Sequence, residues 1–204
     1  MTFLPDVPVL HGSLVRLEPL SMRHAADLAD AAEEDRGAFA FTRVPRGPQV
    51  AGYLAERAER GTLVPFAQIR LADGRAAGST AYWDPRFWPG RADVCAVEIG
   101  WTWLAASAQR TGLNVEAKLL LMEYAFETLG VVRVDFKTDA RNERSRRAIA
   151  RLGANFEGVL RQWSPSHAPG EEGLLRDSAM FSVIAAEWPA TKAALRGRLR
   201  TLGR

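Results

Sequence analysis

The feature that most constrains the fold is a short glycine-containing segment, Gln109–Asn114, between two long apolar stretches. Before it, the apolar run Val94–Leu104 is typical of a strand, and an unusually long one. After it, apolar residues recur at helical spacing from Leu113 to Phe126 and cover much of the helix circumference, which indicates a buried helix. A strand that turns directly into a buried helix predicts a fold of the α/β class.

The rest of the chain contains further strand and helix patterns. Further strands are predicted at Ser13–Glu18, Leu63–Leu71, Ala76–Trp83, Val132–Thr138, Phe156–Trp163 and Leu175–Ile184. Further helices are predicted at Ser21–Ala32, at Gln49–Arg60, after a capping Asn142, and at Ala186–Leu202. Pro and Gly in Asp84–Gly90 predict a loop there. This order describes an α/β sandwich on a mixed sheet of about six or seven strands, and not a regular doubly wound fold.

Length and composition indicate one domain. A chain of 204 residues with 47% hydrophobic residues can bury one sizeable core, and it contains no internal repeat or linker. We therefore predict a single domain over residues 1–204. No stretch has the length and apolar character of a signal peptide or a membrane span, which predicts a soluble, cytoplasmic protein without membrane contact.

Metal and nucleic-acid sites are not expected. The single cysteine, Cys95, excludes an internal disulfide and a cysteine-rich metal site, and His11, His24 and His167 lie far apart without ligand spacing. The net charge is only +3. Most basic residues are arginines in an Ala-rich chain, which is weak evidence for a nucleic-acid partner.

Gln109–Asn114 has the physical features of an anion site. A helix N-terminus carries unpaired backbone N–H groups and the positive end of the helix dipole, and such ends bind phosphate. Gly112 allows close approach of the backbone, Asn114 can adopt the left-handed conformation at low cost, and Arg110 adds a positive charge. A diphosphate ligand is one interpretation; the other is that Gly112 merely starts a helix, which is common.

These residues resemble the pyrophosphate motif of the GNAT superfamily of acyl-CoA N-acyltransferases, which reads Gln/Arg-x-x-Gly-x-Gly/Ala at a strand-to-helix turn. Gln109, Gly112 and Asn114 occupy its three defined places, and Asn114 departs from the small residue expected at the third. Further residues look like the RimJ/RimL branch and extend the resemblance from Gly12 to about Trp188. They are Glu98-Ile99-Gly100, Glu116-Ala117, Asn142 with Ser145, Glu157–Arg161, Arg176-Asp177 and Glu187-Trp188.

The resemblance implies a GNAT-like, mostly antiparallel mixed sheet with helices on both faces and a splay between the family's fourth and fifth strands. It implies acetyl-CoA or another acyl-CoA as co-substrate, and no metal. Asn142 would cap its helix and bond the pantetheine arm, while Arg147 would reach the 3′-phosphate. The residues implied in cofactor binding are Trp103, Leu104, Gln109, Arg110, Thr111, Gly112, Leu113, Asn114, Asn142 and Arg147.

Glu98 is the candidate general base. A carboxylate in the middle of this strand, on one face with Ala96, Gly100 and Thr102, is costly to bury, and burial raises its pKa toward neutrality. Such a group suits proton abstraction from an amine. Its position also matches the base of the RimJ/RimL branch. The alternative is that Glu98 pairs with a nearby arginine and only supports the sheet.

The departing thiolate needs a proton, which the superfamily often supplies from a tyrosine. This sequence has Ile149 at the corresponding place. Ser145 matches the serine that the RimJ/RimL branch places near the CoA sulfur, and ordinary helix packing is its alternative role. Glu98 and Ser145 are thus the candidate catalytic residues.

Aromatic residues are the candidates for acceptor binding. Tyr82, Trp83 and Trp163 lie on strands that surround the acceptor pocket in this family, where they can stack a planar group or surround a cation. Plain core packing is the alternative. Asp84, Asp139 and Glu171 are weaker candidates for receiving a charged amine, because solvated turns have the same spacing.

The function predicted from these observations is acyl-CoA-dependent N-acyl transfer, by direct attack in a ternary complex, to a primary amine of a small metabolite or antibiotic. One alternative is an N-terminal acetyltransferase of a ribosomal protein. Another is a non-catalytic acyl-CoA-binding regulatory module, which the absence of the tyrosine permits. A homodimer is compatible with either activity.

Overall fold

One eight-stranded sheet forms the centre of the protein, and the computed structural model describes residues 4, 7–91 and 93–202. The strand order is β1-β2-β3-β4-β5-β6-β8-β7, and all neighbours are antiparallel except β5 and β6, which are parallel. The strands are β1 (Leu10–His11), β2 (Val15–Pro19), β3 (Val64–Arg70), β4 (Ala76–Arg86), β5 (Ala96–Leu104), β6 (Arg133–Asp139), β7 (Asn155–Pro165) and β8 (Leu175–Ile184).

Helices cover both faces of this sheet. They are α1 (Ala25–Glu33), α2 (Val50–Glu59), α3 (Leu113–Glu123), α4 (Glu143–Ala150) and α5 (Trp188–Leu202), with a π-helical turn, Tyr124–Thr128, after α3. α1 and α2 lie on one face, and α3 packs against α5 on the other. None of these helices is long and apolar enough to cross a membrane.

The predicted fold class is confirmed, with a mixed and mostly antiparallel sheet between helices. The strand count was slightly low because β1 has only two residues, too few to show a period. The predicted loop at Asp84–Gly90 was partly wrong, since β4 continues to Arg86. A register shift between Trp83 and Arg86 and a positive φ of 50° at Asp84 place Pro85 in an irregular part of the ladder, where its missing N–H costs little.

A bulge in β5 changes which side chains share a face. Trp101 has φ 52°, and the register with β4 shifts between Ser79 and Ala81. One extra residue reverses the alternation of side chains beyond this point. Thr102 therefore bonds to Thr80 on the α3 face, and the prediction that it shares the face of Glu98 was wrong. The sequence pattern alone has no signal for the inserted residue.

The parallel strands separate soon after they meet. Pairing of β5 with β6 is limited to Ala96–Glu98 against Arg133–Asp135. From Ile99 onward β5 keeps β4 as a neighbour, and no described strand pairs with its other side. This is the predicted splay between the fourth and fifth strands of the family pattern, which are β5 and β6 here because β1 is additional. It leaves backbone groups of β5 free to bond a ligand.

Glu116, in the first turn of α3, ties that helix to the start of the sheet. Its carboxylate accepts hydrogen bonds from the backbone N–H groups of Ser13, Leu14 and Val15 at 2.8, 2.7 and 2.9 Å. The Ser13 hydroxyl donates a further bond at 2.6 Å. Any side chain at Gly12 would clash with the same carboxylate. This contact places the beginning of α3 relative to β2.

We expect Glu116→Ala to lower the free energy of unfolding by about 3 kcal/mol, because it removes the charged acceptor of three backbone N–H groups and leaves the buried one, that of Val15, without a partner. Urea denaturation measures the loss. Glu59→Ala, a change at an exposed position of α2, is the matched control and should stay within about 0.5 kcal/mol of wild type. Equal stability of the two variants would contradict the role given to Glu116.

Candidate active site

The turn between β5 and α3 has a fixed backbone shape. Arg110 and Gly112 both adopt positive φ, at 65° and 91°, on either side of Thr111. The Thr111 hydroxyl donates to the carbonyl of Ala108 at 2.8 Å, and the Gln109 side-chain amide donates to the carbonyl of Leu104 at 3.0 Å. These bonds hold the turn in shape, with the Arg110 side chain exposed.

The turn presents unpaired donors at the beginning of α3. In the described chain, the backbone N–H groups of Gly112 and Asn114 have no hydrogen-bond acceptor, as expected for the first turn of a helix. Alternating left-handed and right-handed backbone conformations direct successive N–H groups into a concave anion site. Together with the charge of Arg110, this geometry fits a diphosphate.

Two details of this turn differ from the sequence-based prediction. Asn114 lies within α3, and Arg110, not Asn114, takes the left-handed conformation. The backbone at position 112 has φ 91°, a conformation that glycine adopts without steric cost. A Cβ at Gly112 would face Leu14 at 3.1 Å and Leu202 at 3.4 Å, which shows that this position packs against apolar side chains on the side away from the free N–H groups.

Glu98 is the last residue of β5 that pairs with β6, so its carboxylate lies where the splay begins. It is 5% exposed and forms an ion pair with Lys137 of β6 at 3.0 Å. Burial raises the pKa of Glu98, and the nearby Lys137 ammonium partly opposes this rise. The expected structural partner was an arginine, and the structure shows a lysine instead. A buried carboxylate with a raised pKa can accept a proton near neutral pH.

Three tryptophans lie around this ion pair. Trp83 is the register partner of Glu98 on β4, and its ring contacts Trp101 edge-on with centroids 5.7 Å apart. Trp163 of β7 is 56% exposed, and its ring centroid is 6.0 Å from the Lys137 nitrogen. Trp83 and Trp163, both predicted acceptor contacts, therefore flank the Glu98–Lys137 pair on the face covered by α1 and α2.

The residues predicted on α4 lie next to the carboxyl end of β6. Asn142 caps the helix by accepting a hydrogen bond from the Ser145 backbone N–H at 3.1 Å, as predicted. The Ser145 side chain is half-buried, and no hydrogen bond joins it to Glu98 within the described contacts. Arg147 is exposed and lies 4.0 Å from Glu143.

Comparison with known proteins decides the family. The family model described as "Acetyltransferase (GNAT) domain" matches residues 15–155. The chain belongs to the GNAT acetyltransferase family. It is accordingly an N-acetyltransferase enzyme, and the non-catalytic alternative is set aside. No curated protein sequence matches the chain.

Solved structures support this GNAT assignment. A GCN5-related N-acetyltransferase from Brucella melitensis is 32% identical, with TM-score 0.82, over 96% of this chain and 86% of the other. A protein from T. thermophilus, assigned as an acetyltransferase, is 35% identical, with TM-score 0.80, over 95% and 98% of the two chains. RimJ from Mycobacterium smegmatis, solved with CoA-disulfide, shares the fold at 20% identity and TM-score 0.75, over 97% of each chain.

One predicted acceptor contact, Tyr82, has a position that does not fit its predicted role. Tyr82 is fully buried on the α3 face, and its hydroxyl donates to the carbonyl of Leu121 at 2.5 Å. It is therefore a core residue, on the other side of the sheet from Glu98. The Trp103 side chain is also buried and packs edge-on against Phe39. The predicted cofactor contact is the backbone of Trp103 and Leu104, which lies at the splayed end of β5 and does not depend on the Trp103 side chain.

Two of the three weaker acidic candidates, Asp139 and Glu171, are already paired. Arg141 pairs with Asp139 at 2.8 Å and with Glu171 at 2.7 Å. Its guanidinium lies 5.4 Å from the centroid of Phe41. This cluster joins the α1–α2 connection to the β7–β8 loop, and neither carboxylate is left to receive an amine without breaking it.

Sequence reasoning missed Lys118, which is 4% exposed within α3. Its ammonium donates to the hydroxyls of Thr80 at 2.7 Å and Thr102 at 2.5 Å, and burial lowers its pKa to about 7. These bonds tie α3 to the β4–β5 pair just beyond the bulge at Trp101. A lysine inside an otherwise apolar helix could have indicated a buried charge. Its hydroxyl partners could not be predicted, because they lie on strands that are distant in sequence.

We expect Arg110→Glu to raise the KM for acetyl-CoA by about tenfold or more, because it replaces an attractive charge beside the free N–H groups with a repulsive one. Initial rates over a series of acetyl-CoA concentrations measure the effect, which should weaken at high salt. Arg91→Glu, a charge reversal in the exposed loop after β4, is the control. An unchanged KM for Arg110→Glu would remove Arg110 from the cofactor site.

We expect the Lys118→Met variant to respond to pH differently from wild type. Burial lowers the pKa of Lys118 from 10.5 to about 7, so between these values the unfolded chain binds a proton that the folded chain does not. Wild-type stability should therefore rise with pH across this window relative to the variant. Urea denaturation at several pH values between about 7 and 10 measures the difference. Parallel stability curves would contradict the lowered pKa.

Proposed function

We propose that this GNAT enzyme transfers an acyl group, in most cases acetyl, from acyl-CoA to a primary amine of a small molecule by direct attack in a ternary complex. The observation that carries this proposal is the position of Glu98. Its buried carboxylate lies where β5 and β6 begin to separate. The same strand leads to the turn at Gln109–Asn114, whose geometry fits a diphosphate.

The donor end follows from the turn and the splay. The N–H groups of Gly112 and Asn114, with Arg110, would hold the diphosphate, and Thr111 and Leu113 complete the backbone of the turn. From Ile99 to Leu104, β5 offers backbone groups to the pantetheine arm. Bound acyl-CoA would supply the activated thioester, and a backbone N–H of the splayed strand would stabilise charge on its oxygen.

Glu98 would remove the proton from the attacking amine. A lysine-like amine with a pKa near 10.4 is neutral in about one molecule per thousand at pH 7.4, so a base increases the reactive population. Lys137 keeps the carboxylate oriented and keeps its pKa from rising further. Ser145, at the beginning of α4, would pass a proton to the leaving thiolate, directly or through water.

The acceptor is proposed to be small because two loops meet over this face of the sheet. Arg141 contacts Phe41 on the α1–α2 connection and Glu171 on the β7–β8 loop. A bridge between these loops would narrow the approach to Glu98 for a bulky acceptor. This geometry favours a metabolite-sized amine over the N-terminus of a folded protein, for which the site would have to open. Trp83 and Trp163 would contact the acceptor.

The proposal is tested by following free-thiol release from acetyl-CoA with a panel of small amines and N-terminal peptides. We expect small amines to react, and Glu98→Gln to lower kcat by about 10² to 10⁴-fold, because the carboxamide cannot accept the proton. Acetyl-CoA affinity, measured by calorimetry, should stay unchanged in this variant. A full rate in Glu98→Gln across the pH range would exclude Glu98 as the base, and reaction with peptides alone would favour the N-terminal acetyltransferase.

We expect Lys137→Met to move the acidic limb of the kcat/KM profile to higher pH. The carboxylate is active only when ionised, and the Lys137 ammonium lowers its pKa, so removal of that charge raises the pKa of Glu98 further. Lys137→Arg keeps the charge and should move the limb less. Lys192→Met, on α5 and paired with Glu123 at 2.8 Å, is the distant control. A limb that moves to lower pH would contradict this assignment.

A further inference from the structure

Arg57 of α2 is a buried cation beside the proposed acceptor site. It is 4% exposed, and its guanidinium carbon lies 4.0 Å from the Tyr53 ring centroid and 4.3 Å from the Trp101 ring centroid. Within the described part of the chain, no carboxylate forms an ion pair with it, and its buried Nε has no hydrogen-bond partner. Aromatic faces compensate only part of the loss of hydration of a guanidinium, so this arrangement is costly without an anion.

The stack is connected to Glu98 through the sheet. Trp101 lies in the β5 bulge, three positions after Glu98 in the sequence, and its ring contacts Trp83. Trp83 is the register partner of Glu98. The guanidinium of Arg57 therefore contacts Trp101, whose ring contacts that of Trp83 beside Glu98 in the sheet, on the face that carries the ion pair with Lys137.

A second unpaired guanidinium approaches from the opposite side of this face. Arg176 of β8 has a buried Nε without a partner and, across residues 7–91 and 93–202, no ion pair. Burial lowers the pKa of Arg176, and the charges of Asp139 and Glu98 oppose that change. Both carboxylates are already paired, Asp139 with Arg141 and Glu98 with Lys137. Neither of these two carboxylates is therefore free to neutralise Arg176.

Two further groups support an excess of positive charge here. The buried Tyr53 hydroxyl has no hydrogen-bond partner among the residues with described positions. Burial, and then the charges of Arg176, Arg43 and Arg57, lower the pKa of His167 in the β7–β8 loop. Arg43 is already paired with Glu56. Of the three arginines whose charges act on His167, Arg57 and Arg176 have no ion pair within the described part of the chain.

We propose that the acceptor is an amine that also carries an anionic group, a carboxylate or a phosphate, and that Arg57, Arg176 and the Tyr53 hydroxyl bind this group while the amine faces Glu98. This inference rests on the proposed function and names the substrate class of the same site. Guanidinium groups present planar N–H donors that match the oxygens of both anions. An anion held at a fixed distance from the base would also orient the amine for attack.

The test uses pairs of acceptors that differ only in the anion. Amino acids are compared with their carboxamides, and phosphoethanolamine with ethanolamine, by thiol release from acetyl-CoA with the full-length enzyme. The carboxylate raises the pKa of the neighbouring amine, so a carboxamide offers more neutral nucleophile. A preference for the acid therefore runs against amine reactivity and reports binding of the anion. The two pairs separately distinguish carboxylate from phosphate.

We expect kcat/KM to favour at least one acidic partner by roughly 10- to 100-fold, the range for a charge-assisted hydrogen bond. Arg57→Met keeps an apolar stem between the rings and should reduce that preference toward unity, and Arg57→Lys should restore part of it. Arg176→Met gives the same readout where the Arg57 variants fail to fold. The ratio between paired substrates does not change when a substitution merely lowers the amount of active enzyme.

Equal use of acids and neutral partners by the wild type would overturn this inference and leave the proposed function intact. An acid preference that survives both Arg57→Met and Arg176→Met would also overturn it, because the anion would then be bound elsewhere. Absence of turnover with every amine, while calorimetry still shows acetyl-CoA binding, would overturn the proposed function and this inference with it.

Discussion

The end of pairing between β5 and β6 is the constraint on which the rest of the site depends. These are the parallel neighbours of the sheet, and their ladder stops at Glu98 and Asp135. Beyond this point each strand keeps its antiparallel neighbour, so the sheet stays anchored on both sides of the opening. A gap in the middle of a sheet leaves backbone donors and acceptors unpaired, and such groups need a partner when they are buried. In this family member, the gap leads from the proposed base to the turn at Arg110–Gly112.

Three contacts hold the opening in shape, and each comes from a different part of the chain. Glu116 ties the beginning of α3 to the backbone of Ser13–Val15. Lys118, less than one turn further along α3, bonds to Thr80 and Thr102 beyond the bulge. Lys137 pairs with Glu98 where the strands part. A charged group in a buried position is tolerated when several hydrogen bonds or an opposite charge satisfy it. The Glu116 carboxylate and the Lys137 ammonium meet that condition, whereas burial lowers the pKa of Lys118 to about 7 despite its two hydroxyl partners.

The predicted strands and helices agreed well with the structure because they depend on local periodicity. The turn at Gln109–Asn114 was recognised from its glycine and from helix-terminus chemistry, which are also local, while its cofactor role was inferred from the family resemblance. The errors have another origin. One inserted residue at Trp101 reversed the faces of Thr102 and Trp103, and this reversal depends on pairing with β4. Tyr82 was assigned to the acceptor site from its position on a strand, whereas packing against α3 makes it a core residue.

The sequence by itself determined the order of elements, the glycine turn before α3, the cap at Asn142 and the identity of Glu98 as an unusual carboxylate. Only the tertiary structure decided which charges are neutralised. Glu98 forms an ion pair with Lys137, and Asp139 forms one with Arg141. In the described chain, neither Arg57 nor Arg176 forms an ion pair with a carboxylate. The physical reason is that the pKa and the cost of a buried charge depend on neighbours within a few ångströms, and the sheet brings those neighbours together from strands and helices far apart in sequence.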